Sequence, residues 1–227
     1  MRSTVHLMSL LAVAACTPNA IKGEIEGEKP KFADAIFIDR DDVYGEGDGI
    51  IQVYMTSYPD ACETLTGYLE DLEDEDDPDG AADSFRERFP EEMWLVELGL
   101  RVDDPDADLK DTELDGVDWD EWLEEEDEAY GVVLQYTDHL DEDCFAGGEC
   151  DAVETWVTDG GEMVIERHEP GERLIGEFET TLVEGEGDEE GEISILFDAV
   201  QCEDLEDLIL GESEASAPTE TGTVTTD

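Results

Sequence analysis

Apolar side chains in this chain come in short runs, and Gly, Asp or Pro closes nearly every one of them. The runs at 21–26, 35–39, 50–57, 94–102, 132–137, 152–158, 162–167, 173–183 and 192–200 are candidate strands. Several alternate apolar with polar, as half-buried antiparallel strands do. Ile193, Ile195 and Phe197 make one face of the last run; Glu192, Ser194 and Leu196 make the other, which is only partly polar. Asp159-Gly160-Gly161 between two runs reads as a hairpin turn, and the acidic, Gly-rich stretch 184–191 as a longer hairpin loop. Helices are expected only at 81–89 and 119–129, the second with acids on its exposed face. The expected fold is therefore mainly β: an antiparallel β-sandwich or barrel in one domain, 22–212, with one or two short helices.

Such a domain must fold against its own charge. The chain carries 68 Asp plus Glu and 11 Lys plus Arg, a net charge of -57, or about one excess negative charge for every four residues. Charge of that density approaches the composition of disordered chains. The seven Phe, six Tyr and four Trp, gathered mostly in the apolar runs, supply a core nonetheless. A surface of this sign repels nucleic-acid phosphates and anionic head groups, so neither is an expected partner. The acids run the whole length rather than forming a tail, as in proteins of salt-rich habitats, and a need for salt to fold is expected. Residues 213–227 hold Ser, Thr, Ala, Pro and Glu with Val224 as the one large apolar side chain, so a disordered tail is expected there.

The chain opens with Arg2, a mainly apolar segment from His6 to Ala15 too short to span a bilayer, and then Cys16. Val13-Ala14-Ala15-Cys16 resembles the lipobox of bacterial lipoproteins, with Val13 where Leu is usual. The resemblance implies that 1–15 is a signal peptide, cut before Cys16. The Cys16 thiol then carries diacylglycerol, its new amine is acylated by a palmitate-type chain, and residues 16–21 form a lipidated tether. Thr17 rather than Asp after the cysteine implies the outer membrane in enteric-type sorting. Several acyl chains anchor stably where one would not. The expected location is the bacterial cell envelope, facing the periplasm or the surface, with the membrane as partner through the lipid. An ordinary signal peptide with a cysteine near its cut site, or a buried N-terminal strand, are the other readings of the same residues.

Once Cys16 is lipidated, Cys62, Cys144, Cys150 and Cys202 remain, an even number for an oxidising compartment. Three pairings are open. The short loop Cys144-Phe-Ala-Gly-Gly-Glu-Cys150 closes easily, which leaves Cys62 to pair with Cys202. Each of these follows a candidate strand, so their bond would staple one end of a sandwich. A zinc site adding His139 to Cys144 and Cys150 has a spacing that matches no common pattern. The run Gly176-Glu177-Phe178-Glu179, then 191–199, then Cys202, resembles the closing hairpin of small β-rich bacterial lipoproteins. That resemblance implies β architecture and anchoring, and no activity.

Chemistry is hard to single out. Carboxylate pairs are everywhere, so they cannot mark a glycosidase. His139 and His168 read as surface or turn residues, and neither sits in a Gly-x-Ser-x-Gly or His-Glu-x-x-His motif; a Ser-His-Asp site using Ser57 or Ser84 stays open, with nothing to single it out. The Gly-rich stretches 45–49 and 185–191 are acidic and repel phosphate. Glu75, Asp77 and Asp79 alternate before Gly80 as in a calcium loop, but Pro78 stiffens it and Arg86 stands where a closing Glu belongs. Asp111, Glu113, Asp115 and Gly116 repeat the spacing with Trp122 at the closing position. Weak divalent binding is expected, and no dedicated cofactor. The function expected is a noncatalytic binding or structural module on the membrane, with an envelope or extracellular protein or a glycan as ligand. A periplasmic or surface hydrolase and a weak calcium-binding module are the alternatives. A pocket with His or Ser beside a carboxylate would favour the hydrolase.

Overall fold

The computed structural model describes residues 19–40, 49–73, 78–117, 128–146, 150–184, 188–206 and 208–209. The chain is mainly β. Its strands are β1 (Ala20–Lys22), β2 (Asp34–Arg40), β3 (Gly49–Thr56), β4 (Met93–Val102), β5 (Thr112–Gly116), β6 (Glu128–Tyr136), β7 (Val153–Glu169), β8 (Arg173–Glu184) and β9 (Asp188–Gln201). The ladder runs β9-β2-β3-β4-β6-β7-β8, and β8 pairs back onto β9, so the sheet closes on itself as a barrel. Closure removes the open edges that a sandwich would have to protect. β1 lies along the lower part of β9 and β5 along β7. The sheet is not wholly antiparallel: β2 runs parallel to the end of β9, and β5 to the start of β6.

Period-two alternation fills the barrel. Phe37, Val53, Met55, Leu98, Trp156, Phe178, Ile195 and Phe197 point inward and are fully buried. Burial of this kind contributes about 25 cal/mol per Å² of apolar surface, the main term holding an acidic chain folded. The acids lie on the opposite faces and in the connections.

Four sequence expectations need correction. The run 21–26 is a strand only as far as Lys22; Ile25 and Glu28 then exchange backbone hydrogen bonds of 3.0 and 2.8 Å around Glu26 and Gly27, both at positive φ. The sheet thus takes up Ala20 and Ile21, placed in the tether by the sequence. Asp159-Gly160-Gly161 is not a hairpin turn but a bulge inside the long strand β7, with Gly160 and Gly161 at φ 66° and 111°. The bulge lets β7 pair with β6 before it and with β5 after it. The expected helix 119–129 falls outside the described residues except at its end, where Glu128 and Ala129 begin β6. Finally, Asp111, Glu113 and Asp115 lie at and along β5, whose Leu114 is buried in the core, rather than in a loop.

Gly161 is fixed by space as well as conformation. A Cβ there would stand 2.1 Å from the Glu179 carbonyl oxygen. Gly161→Ala is expected to cost about 3 kcal/mol by combining positive-φ strain with a backbone clash. Urea denaturation checks this; an unchanged midpoint would mean that the bulge is dispensable.

The helices form a cap on the outside of the barrel. α1 (Ala61–Glu73) was not expected from the sequence, whereas α2 (Pro78–Arg88) covers the expected 81–89, and α3 (Glu142–Phe145) is a single turn. Asp34, at the start of β2, accepts from the N–H of Ala61 at 2.9 Å and so caps α1 from the barrel wall. Arg88 of α2 makes a two-pronged pair with Asp71 of α1, at 2.8 and 3.1 Å. Gly67 permits that approach, since a Cβ there would meet the Arg88 guanidinium at 2.3 Å. Cys62 and Cys202 stand at bonding distance with Cα atoms 5.6 Å apart, as do Cys144 and Cys150 at 4.7 Å. The longer link ties the first turn of α1 to the end of β9, so it joins cap to barrel rather than strand end to strand end.

Candidate functional site

Beneath the cap lies an apolar cavity of about 240 Å³. Its floor is the outer face of the barrel, from Tyr54, Leu95 and Tyr136; its roof is Leu65, Tyr68 and Leu69 of α1, Phe85 of α2, and Leu205 and Ile209 after β9. Aromatic rings pack against one another around it. Tyr68 and Tyr58 meet Phe89 edge-on at 5.1 and 5.6 Å, and Phe85 lies tilted on Tyr136 at 5.6 Å. Edge-to-face pairs of this kind contribute about 0.5–1.5 kcal/mol each beyond the area they bury.

A second cavity of about 310 Å³ lies at the end of the β4–β6 ladder, toward the barrel interior. Met93 and Tyr136 line both cavities, and they are the last cross-strand pair of the β4–β6 ladder. The rim cavity is polar, lined by Glu28, Ser57, Glu92, Gln135 and Thr137 around Trp94. Trp94 stacks on Trp156 inside the barrel, with ring centres 5.7 Å apart. Its backbone N–H donates to Ser57 Oγ at 2.8 Å, and Gln135 Nε2 donates to Glu28 Oε2 at 3.5 Å. The tight turn ending at Glu28 is what brings that carboxylate to the rim.

Burial sets the protonation of the site. It raises the tyrosine hydroxyls of Tyr54, Tyr58 and Tyr136, aided by the charge of Glu97 at Tyr54 and Tyr136. Tyr68 is pushed up to about 12 for the same reason, with Tyr136 adding to it. All four therefore stay neutral. Glu97 sits across from Tyr54 on the outer face, with Gln52 Nε2 at 3.4 Å, and burial raises its carboxyl too. A carboxyl raised in the folded state favours folding only while protonated, so its charge opposes folding at neutral pH. Glu97→Gln is expected to raise the melting midpoint at pH 7, with the gain vanishing as the pH falls below the ordinary glutamate range. A gain that persists in acid would point to packing instead.

The residues singled out in the sequence do not converge here. Cys16, Glu75 and Asp77 lie outside the described residues, and Asp79 falls in the first turn of α2, a helix rather than a wrapping loop. Glu113 and Asp115 lie two apart on a strand, about 7 Å along it, too extended to close round an ion without other ligands. Among the described residues no group of three His, Cys, Asp or Glu side chains gathers as metal ligands. Cys144 and Cys150 bond to each other, which removes them as zinc partners for His139. His139 Nε2 lies 3.2 Å from the Phe89 carbonyl, which links the cap to the segment after β6. His168 is not a surface residue: it is buried in the barrel, with Nδ1 2.9 Å from the Ala107 carbonyl and its ring edge-on to Phe37. Ser57 accepts from Trp94, and Ser84 lies on α2, half-buried. The cavity-lining aromatics were not legible as a site, although Ala61, Leu65, Tyr68 and Leu69 carry the helical spacing that would have revealed α1.

Compared with known proteins, the chain matches no family model, no curated protein and no solved structure.

Proposed function

We propose that this chain is an envelope or surface lipoprotein, held to the membrane through Cys16, whose barrel is a noncatalytic module binding a small apolar ligand beneath its helical cap. The apolar cavity between α1, α2 and the barrel wall carries the reading. It is lined by aromatic and aliphatic side chains, the usual lining of a ligand site. Support for a noncatalytic role comes from the imidazoles of His139 and His168, each of which has a ring nitrogen within hydrogen-bond distance of a backbone carbonyl. Support for close anchoring comes from Asn19, whose side chain accepts from the Asp198 N–H at 2.7 Å. Only Thr17 and Pro18 separate it from Cys16, so the lipidated residue stays within about 11 Å of the barrel.

Two measurements test the reading. Labelled palmitate should enter the protein in cells and be lost in Cys16→Ser, with the protein moving from membrane to soluble fraction. A neutral probe, N-phenyl-1-naphthylamine, should fluoresce on binding the folded protein and be displaced when Leu65→Trp fills the cavity. An unlabelled protein would overturn the anchor, and a probe that stays dark would overturn the binding site.

A further inference from the structure

We infer that the outer face of strands β8, β9 and β1, where Ile175, Leu196 and Val200 stand among closed ion pairs, lies against the lipid surface that holds Cys16. The inference rests on Cys16 being the anchor, and adds which side of the barrel the anchor turns to the membrane.

The chain path brings this face to the lipid. The Asn19 side chain is held at Asp198, and β1 runs antiparallel along β9, so the chain enters β1 from the end of β9 that carries Asp198 and Val200. The reach of about 11 Å from Asn19 back to Cys16 is close to the screening length of about 8 Å at physiological salt. At that range the sign of the charge on the near face decides whether an anionic bilayer repels the domain.

The near face is where the excess charge vanishes. Three Lys and three Glu cancel over residues 17–33, whereas seven bases face 65 acids from residue 34 onward. Between Arg173 and Ser194 the outer positions of the three strands hold two acids, and both are matched. Glu177 accepts from Lys22 Nζ at 2.8 Å and from Ser194 Oγ, and Asp198 accepts both prongs of Arg173. Glu169, beside Arg173 on β7, is matched by Arg167 at 2.6 Å. Glu179 and Glu192 stand at the Ser194 end, away from Val200.

Between the pairs the face is apolar. Leu196 lies between Glu177 and Ala20, Ile175 lies opposite Asp198, and Val200 lies opposite Arg173. Ile175 and Leu196 are half-buried, on the side of the sheet away from the core. Val200 is 49% exposed, the one large apolar side chain so exposed among the described residues. Apolar side chains between Lys and Arg, with no uncompensated acid, are what the head-group boundary of a bilayer accepts.

Tryptophan quenching by brominated acyl chains tests the orientation. The lipidated full-length protein is reconstituted into vesicles of brominated phosphatidylcholine and phosphatidylglycerol, at one salt concentration that keeps it folded. Val200→Trp is compared with Lys110→Trp, an exposed position just before β5, after subtraction of the unsubstituted protein's signal; circular dichroism checks both folds. Val200→Trp should lose most of its added fluorescence and Lys110→Trp almost none. Protein that floats with the vesicles while Val200→Trp is quenched no more than Lys110→Trp overturns the face and leaves the anchor standing. Protein that does not float overturns the anchor. A soluble Cys16→Ser dimer that Val200→Glu breaks would give the face to a second copy instead of the lipid.

Discussion

Replacing Cys62 and Cys202 together with alanine is expected to lower the unfolding free energy by about 5 kcal/mol. The two residues are 140 apart in sequence, and in the chain-entropy model a link across a loop that long removes about that much freedom from the unfolded chain. The same relation gives about 2 kcal/mol for Cys144 and Cys150, only six apart. The larger loss is a third or more of the stability of an ordinary domain, about 5–15 kcal/mol. It also reaches the site. Cys202 is buried in the cluster that joins cap to barrel, and Cys62 begins the helix that roofs the apolar cavity. Loss of probe binding should therefore accompany the fall in stability for the 62–202 pair and not for 144–150. Urea titrations measure the difference, with a steeper slope expected once the long link no longer compacts the unfolded chain, and equal losses from the two pairs would show that the long link holds nothing that packing does not.

Salt is expected to move the folding equilibrium as strongly. With 68 acids and 11 bases, most carboxylates have no basic partner to find. The bases that are present are mostly engaged: Lys22 with Glu177, Arg88 with Asp71, Arg167 with Glu169, and Arg173 with Asp198. Folding draws a chain of this length from a radius of gyration of about 50 Å to about 17 Å, which brings the unpaired charges together. Each pair of carboxylates 10 Å apart costs about 0.4 kcal/mol in water, and there are many. Raising the salt from about 0.1 M to 1 M cuts the screening length from about 10 Å to 3 Å and removes most of that cost. Several kcal/mol recovered corresponds to a rise in melting midpoint of about 10 °C or more. Circular dichroism melts in dilute buffer and in molar sodium chloride give the answer, and an unchanged midpoint would remove the idea of salt adaptation.

What was legible in the sequence follows from periodicity. Strands β2, β3, β4, β8 and β9 are placed within a few residues by their apolar side chains, alternating along β8 and β9 and forming a continuous run in β2, which is buried on both faces. β5 was missed: its Thr-Glu-Leu-Asp-Gly holds one apolar residue, and only pairing with β7 makes it a strand. Asp159-Gly160-Gly161 is ambiguous in sequence, because paired glycines serve a hairpin turn and a bulge equally well. Which one forms depends on β8, which pairs straight past them. α1 was hidden by an acidic run whose few apolar residues matter only against the outer wall of the barrel.

The mainly β character, the heavy negative charge and the even cysteine set that pairs as 62–202 and 144–150 are already written in the order of residues. These depend on composition and on neighbours a few residues apart. Sheet closure, the joining of helix to barrel by the 62–202 link, and the apolar cavity under the cap exist only in three dimensions. Tyr54, Tyr68, Phe85, Tyr136 and Ile209 come from distant parts of the chain, and nothing local brings them together. Their meeting depends on a strand order in which β4 pairs with both β3 and β6, and on a helix whose first N–H is held by a carboxylate 27 residues earlier. Contacts of that range are set by the burial of whole faces against one another, which no short stretch of sequence encodes.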